Sequence, residues 1–89
     1  MNSHTTPSFR DCLASLPKDI RARAHVAYRR FCQNPHHSGL QFKKVHRQRP
    51  IYSARINDDY RAVGTVAGDD VVWFWIGKHE DYERLLKSL

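Results

Sequence analysis

The run from Val71 to Ile76 constrains the fold most, because six apolar residues follow one another without a polar break. A strand that is apolar at every position is typical of one buried on both faces, whereas a half-exposed strand alternates. Gly77 follows the run and favours its end. We therefore predict a central strand over Val71–Ile76, with other elements covering both of its faces.

Two neighbouring segments show the period of two that is typical of strands. Residues 51–56 place Tyr52, Ala54 and Ile56 on one face, with Ser53 and Arg55 on the other. Residues 60–66 place Arg61, Val63 and Thr65 together. Turn residues at 57–59 and 67–70 separate the segments, so the pattern predicts an antiparallel meander. Leu40 and Phe42 alternate with polar residues and give a weaker strand signal.

Helical periodicity marks both ends of the chain. Thr6-Pro7 is a helix start, and Leu16-Pro17 separates a first helix from a second one that stops at Asn34-Pro35. Residues 79–88 have apolar side chains at helical spacing. We predict an α+β domain over residues 1–89, in which two N-terminal helices pack on a small antiparallel meander sheet and one C-terminal helix follows.

Length and composition limit the class of protein. The chain has 89 residues and a formal net charge of +6, which leaves room for one domain and favours polyanions or acidic proteins as partners. Its two cysteines form no CxxC pair and are typical of a reduced cytoplasmic protein. We expect no membrane segment, since no apolar run approaches the roughly 20 residues needed, and no signal peptide, since Met1–Thr6 lacks basic and apolar blocks.

The segment from residue 43 to residue 49 is strongly basic. It holds five cationic or titratable side chains, which are Lys43, Lys44, His46, Arg47 and Arg49. Such a run suits phosphate groups of a nucleic acid, but taken alone it is more typical of a solvated strand and loop that keeps a protein soluble.

Arg55 and Arg61 lie on the two strands that flank the 57–59 turn. If both point to one face, two guanidinium groups can hold one phosphate. Alternation alone does not fix the register across the turn, so pairing with Asp58, Asp59 or Asp69 is an equal alternative.

His79 lies where the predicted central strand passes into the last helix. Histidine suits proton transfer near neutral pH, and Tyr82 shares its helix face and could stack on a base. The alternative is a surface histidine whose acidic neighbours complement the helix dipole. His36 and His37 are adjacent and point apart, so we predict no metal site.

Several segments in order resemble the RelE/ParE superfamily, the toxins of type II toxin–antitoxin systems. They are the Leu16-Pro17 helical hairpin, the segments 34–43, 52–56 and 60–63, and Trp73-Phe74-Trp75-Ile76-Gly77-Lys78-His79. The resemblance covers nearly the whole chain from Phe9. Family members usually open with an apolar strand, and because Met1–Thr6 is polar and short we expect that strand to be missing or stunted.

The resemblance implies a function and a set of roles. RNase members cleave mRNA in the ribosomal A site without metal or cofactor, by activating a ribose 2′-OH to attack the adjacent phosphate. Arg61 matches the strand arginine of the family, and His79 matches the catalytic Arg or His of the YafQ- and YoeB-like branches. By this resemblance Arg61 and Arg55 would bind phosphate, His79 and His46 would transfer protons, and Tyr82 would stack on a base, with RNA contacts at Lys43, Lys44, Arg47 and Arg49.

Two other functions remain open on the same fold. A ParE-like member would bind DNA gyrase, and a non-catalytic member would bind RNA as a regulator. The resemblance also implies a cognate antitoxin protein as partner, besides the ribosome and mRNA.

Overall fold

The computed structural model describes residues 1–89 and confirms the α+β fold. Three helices and five strands form it: β1 (Asn2–Thr5), α1 (Pro7–Ala14), α2 (Lys18–Gln33), β2 (Lys43–Lys44), β3 (Ile51–Arg55), β4 (Tyr60–Ala67), β5 (Asp70–Lys78) and α3 (His79–Ser88). The strands make one sheet in the order β1-β5-β4-β3-β2.

The helical hairpin begins and turns where the sequence predicts. The Thr6 hydroxyl accepts a hydrogen bond from the Phe9 amide at 3.1 Å, and Pro7 occupies the first helical position. Pro17 precedes α2, which buries Ile20 and packs Ala24, Ala27 and Phe31 into the core with residues of the sheet.

Strand β1 corrects the prediction of a purely antiparallel meander. It pairs in parallel with β5, from Asn2 opposite Asp70 to Thr5 opposite Trp73. The Trp73 indole N–H donates to the Ser3 hydroxyl at 2.9 Å, so a polar side chain fixes this short strand. An edge strand needs backbone pairing more than an apolar face, which is why its polar sequence gives little signal. With β1 present, β5 is an interior strand and β4 is the middle one.

The weak strand signal at Leu40–Lys43 is only partly right. Ser38–Leu40 forms a 3₁₀ turn, and Gln41 adopts a left-handed conformation with φ of 45°. That backbone reversal breaks the alternation, so the strand begins only at Lys43 and lasts two residues. Leu40 is instead 2% exposed in the core.

A β-bulge in β5 lets its apolar run cover both faces of the sheet, as predicted. Val63 pairs with Trp75 and Gly64 with Trp73, so Phe74 is an extra residue in β5. Val71, Trp73 and Ile76 pack in the core under α1 and α2, whereas Phe74 and Trp75 pack with α3. We call the first side the helical face and the second side the α3 face.

The α3 face has a smaller core than the helical face. Three buried residues form it, Ile51, Val63 and Tyr82, and the leucines of α3 pack around them. The end of this face nearest the β3–β4 turn is therefore not filled by apolar side chains. None of the three helices has the combination of length and apolar composition that a membrane-spanning helix needs.

Candidate functional site

The β3–β4 turn is built by Asn57. Its side-chain oxygen accepts hydrogen bonds from the amides of Asp59 and Tyr60 at 2.9 and 3.0 Å, and the Ile56 amide donates to the Tyr60 carbonyl at 3.1 Å. This turn fixes the register that the sequence leaves open. Arg55 pairs directly with Arg61 across the ladder.

Arg55 and Arg61 therefore point to the same face, as neighbours on adjacent strands. Arg55 forms an ion pair with Asp58. Arg61 has no carboxylate partner; its guanidinium donates to the main-chain oxygens of Asn57 at 2.6 Å and Tyr60 at 3.0 Å. Main-chain oxygens orient a guanidinium without neutralising it, so Arg61 keeps its full charge for an anion.

The Asp58 carboxylate interacts electrostatically with both arginines. The hydrogen bond from Arg55, then its charge, and to a smaller extent the charge of Arg61, hold the pKa of Asp58 below its ordinary value of 3.8. The carboxylate is thus ionised at neutral pH and occupies part of the Arg55 guanidinium.

The same turn anchors the start of α3. The His79 amide donates to the Asp59 carbonyl at 2.8 Å, while Lys78 and Gly77 pair with Tyr60 and Arg61. The ladder thus brings the first residue of α3 beside the arginines. The imidazole is half-exposed, with Nε2 3.6 Å from a carboxylate oxygen of Glu83.

These side chains line one polar pocket of about 170 Å³ on the α3 face. Its walls come from β2, β3, β4, α3 and the residue after the 3₁₀ turn, and they are Gln41, Lys43, Ser53, Arg55, Arg61, His79, Tyr82 and Glu83. Three permanent cations, one imidazole and one carboxylate meet there, a composition that suits a phosphate group and proton transfer beside it.

A family model described as the ParE-like toxin domain matches residues 18–84. The chain belongs to this toxin family. The match includes the strands that carry both arginines and the first part of the helix that begins at His79. The protein is thus a toxin of the RelE/ParE superfamily, whose members belong to type II toxin–antitoxin systems.

Solved structures share the fold of the toxin. YafQ from Escherichia coli matches with a TM-score of 0.73 at 8% identity, covering 91% of this chain and 96% of that one. The RelB–RelE antitoxin–toxin complex from Methanococcus jannaschii matches with a TM-score of 0.70 at 21% identity, covering 92% of this chain and 96% of that one. The RelBE2 toxin–antitoxin complex from Mycobacterium tuberculosis matches with a TM-score of 0.67 at 23% identity, covering 88% of this chain and 90% of that one. No curated protein matches the chain.

Tyr82 lines the pocket of the toxin, and most of its surface is buried. The residue is 7% exposed and belongs to the core of the α3 face. Its hydroxyl lies 3.4 Å from the Ser53 hydroxyl, and its ring centroid is 5.5 Å from that of His79. Tyr82 thus supports the floor of the pocket, and base stacking by its ring stays a prediction.

Three pocket residues, Gln41, Ser53 and Glu83, were not predicted from the sequence. Glu83 follows His79 by four residues, the spacing at which helical side chains are neighbours, so this signal was present in the sequence. Ser53 shares the face of Arg55 by strand alternation, but nothing in the sequence indicates that it lies under Tyr82.

His46 lies outside the pocket and has a different environment. Its Nδ1 accepts hydrogen bonds from the amides of Gln48 and Arg49 at 3.1 and 2.9 Å, and its Nε2 donates to the main-chain oxygen of Leu89 at 3.1 Å. Both ring nitrogens are occupied by the backbone. His46 therefore ties the β2–β3 loop to the end of α3, and the structure does not bring it to His79.

The two lysines of the 43–49 run lie on opposite faces of the sheet, and its two arginines lie in the β2–β3 loop. Lys43 pairs with Ser53 and lines the pocket, whereas Lys44 pairs with Tyr52, whose side chain stacks on Phe42. Strand alternation thus places Lys44 on the opposite face. Arg47 and Arg49 are exposed in the β2–β3 loop and do not line the pocket.

A larger cleft of about 290 Å³ lies between α1, α2 and the sheet. Twelve of its fifteen lining residues are apolar, and the only ionisable groups among the rest are Arg10 and His25. This cleft therefore lacks a pair of side chains that could act as general acid and general base. No three His, Cys, Asp or Glu side chains of the toxin lie together as candidates for a metal ion.

Proposed function

We propose that this toxin is a ribosome-dependent endoribonuclease that cleaves mRNA without a metal ion and so inhibits translation. One observation carries the proposal: Arg55 and Arg61 face each other across the β3–β4 ladder and share a pocket with His79. Two guanidinium groups beside an imidazole provide charge for a phosphodiester and a group that transfers a proton near neutral pH.

The proposed reaction is a transesterification within the RNA chain. The ribose 2′-oxygen attacks the adjacent phosphorus, and the bond from phosphorus to the 5′-oxygen breaks, leaving a 2′,3′-cyclic phosphate and a free 5′-hydroxyl. Arg61 and Arg55 bind the phosphate oxygens and stabilise the pentacovalent transition state. His79 donates its proton to the departing 5′-oxygen.

The proton of the 2′-hydroxyl needs a second acceptor. His46 does not serve, because the backbone occupies both of its nitrogens. Glu83 is the one carboxylate that lines the pocket, so in this proposal it accepts that proton. Lys43 adds charge at the pocket rim.

The test is induced expression in bacteria followed by mapping of mRNA 5′ ends. We expect wild type to cut messages within codons, and His79→Ala and Arg61→Ala to lose about 10²–10³ in cleavage rate, as is typical when a group that stabilises developing charge is removed. Exposed residues outside the pocket give matched controls, His25→Ala and Arg84→Ala, which should cleave like wild type.

Folding must be separated from chemistry in this test. Arg61→Lys keeps a cation on β4 without the planar guanidinium, and the thermal midpoints of all variants show whether the fold is retained. Full cleavage by folded His79→Ala contradicts the proposed mechanism.

A gyrase-directed activity is the second candidate, because the family model that matches the chain is ParE-like. It predicts DNA damage and filamentation with intact messages. Translation arrest with intact messages and ribosome binding would instead indicate a non-catalytic RNA-binding toxin.

An antitoxin protein is the proposed natural partner. The RelE and RelBE2 relatives were crystallised with their antitoxins. The net charge of +6 favours an acidic partner segment.

A further inference from the structure

Gln41 is the one residue other than glycine that has a positive φ angle. It follows the 3₁₀ turn Ser38–Leu40 with φ and ψ both at 45°, in the left-handed region. Glycine or asparagine usually occupies such a position after a helical turn, because a longer side chain raises the free energy of this conformation. Gln41 also lines the polar pocket. A strained residue therefore lies at the candidate site.

The two neighbours of Gln41 hold its main chain in this conformation. Leu40 is buried in the core of the helical face. Phe42 packs against the same core, with its ring centroid 5.0 Å from that of Phe31. Both apolar side chains thus anchor the chain on the helical face, while the residue between them lines the pocket on the α3 face. Strain that the surrounding structure imposes beside a pocket is typical of a functional position.

The other side chains of the pocket already have a role or a partner. Ser53 and Tyr82 are buried, and their hydroxyl groups lie 3.4 Å apart. Gln41 is the exposed neutral side chain that remains, and no hydrogen bond ties its amide group to the rest of the protein. Five of the eight lining residues carry charge or transfer protons in the proposed reaction, and these are Lys43, Arg55, Arg61, His79 and Glu83.

We propose that Gln41 is a specificity-determining residue, which binds the edge of an adenine next to the phosphate that Arg55 and Arg61 hold. A glutamine amide presents a donor and an acceptor side by side, and adenine has the complementary pair at N7 and N6. Bases of single-stranded RNA are open to such contacts. The choice of RNA as ligand rests on the proposed function, but this contact with the base does not require cleavage.

The experiment measures binding of the full chain to short single-stranded RNAs by fluorescence anisotropy. Each RNA has a 2′-deoxy group at the cut position, and the bases on the two sides of the uncleavable phosphate are changed in turn to A, G, C or U. One further RNA carries 7-deazaadenine, which lacks the N7 acceptor. Wild type should bind the adenine RNA about five- to tenfold more tightly than the uracil RNA, as a bidentate contact with a base gives. The 7-deazaadenine RNA should lose this preference.

Two variants separate recognition of the base from a structural role of Gln41. Gln41→Gly removes the amide and suits the left-handed backbone, so it should raise the thermal midpoint by a few degrees and yet lose the adenine preference. Gln41→Glu keeps the length of the side chain but removes its donor. Its ratio of adenine to uracil affinity, in which the added charge cancels, should fall to near one. Gln33→Ala at the exposed end of α2 is the control and should keep the preference.

The outcomes distinguish this proposal from the proposed function. Wild type that binds all the RNAs alike, or none of them, would overturn the role of Gln41, and so would a Gln41→Gly variant that keeps the adenine preference. Neither result contradicts the RNase proposal, because mapping of mRNA 5′ ends tests cleavage separately. A toxin that prefers adenine through Gln41 but cuts no message would contradict the RNase proposal alone.

Discussion

Arg55 and Arg61 differ in their partners although they are opposite each other in one ladder. Arg55 is paired with Asp58, while Arg61 is held only by main-chain oxygens. At the scale of residues, Asp58 therefore competes with any phosphate for Arg55.

Asp58→Asn should release the Arg55 guanidinium and tighten binding of an RNA oligonucleotide carrying a 2′-deoxy group at the cut position. We expect about a two- to fivefold lower Kd, the range of an exposed ion pair, measured by fluorescence anisotropy. The matched control is Asp81→Asn, which releases Arg84 outside the pocket. Unchanged or weaker binding by Asp58→Asn would show that Arg55 does not contact phosphate.

At the scale of elements, α3 is held at its start by a backbone hydrogen bond and at its end by a side chain that binds the main chain. Its start is tied to the β3–β4 turn through the His79 amide, and its end to the β2–β3 loop through His46. These ties place α3 over the small core of the α3 face, with the pocket at its N-terminal end.

His46→Ala should loosen the end of α3 without removing the reaction. Losing three hydrogen bonds should cost about 1–2 kcal/mol of unfolding free energy, measured in urea, and should speed amide exchange at Gln48 and Arg49. Cleavage should fall by no more than a few fold, and His36→Ala in an exposed loop is the control. A loss of cleavage as large as that of His79→Ala would return His46 to a catalytic role.

Elements with strong periodicity or turn chemistry were predictable from the sequence. Thr6-Pro7 and Pro17 predicted the helical hairpin, and the alternation in β3 and β4 predicted these two strands and the faces of their side chains. The site required the register across residues 57–59, which depends on how the Asn57 side chain closes the turn. Strand β1 was missed because its polar residues signal no strand without β5 beside them.

At the scale of the whole molecule, β1 couples the N-terminus to the second half of the chain. Asp70, the first residue of β5, pairs with Asn2 and forms a side-chain hydrogen bond with His4. Hydrogen bonds from Asn2, and then from His4, hold the pKa of Asp70 below its ordinary value of 3.8. The folded chain therefore releases this proton more readily than the unfolded chain does.

Because the pKa of Asp70 is lower in the folded chain than in the unfolded chain, the stability of the fold depends on pH. A carboxyl whose folded pKa is lowered stabilises the fold above about pH 3.8, and this contribution is lost as the pH falls through the folded value. Asp70→Asn should thus be less stable than wild type at pH 7, with the difference shrinking below pH 3.8, as measured by urea unfolding from pH 7 to pH 2.5. Asp69→Asn in the same turn is the control. A difference that stays constant with pH would contradict the role of Asp70.

The parallel pairing of β1 with β5 also sets an order on the folding of a newly made chain. Residues 2–5 leave the site of synthesis well before their strand partner at 70–73, and His79 follows later still. Neither edge of the sheet nor the polar pocket can be assembled on a half-made polypeptide. If the proposed activity is correct, a nascent copy of this toxin cannot cleave the mRNA on its own ribosome before His79 has been synthesised.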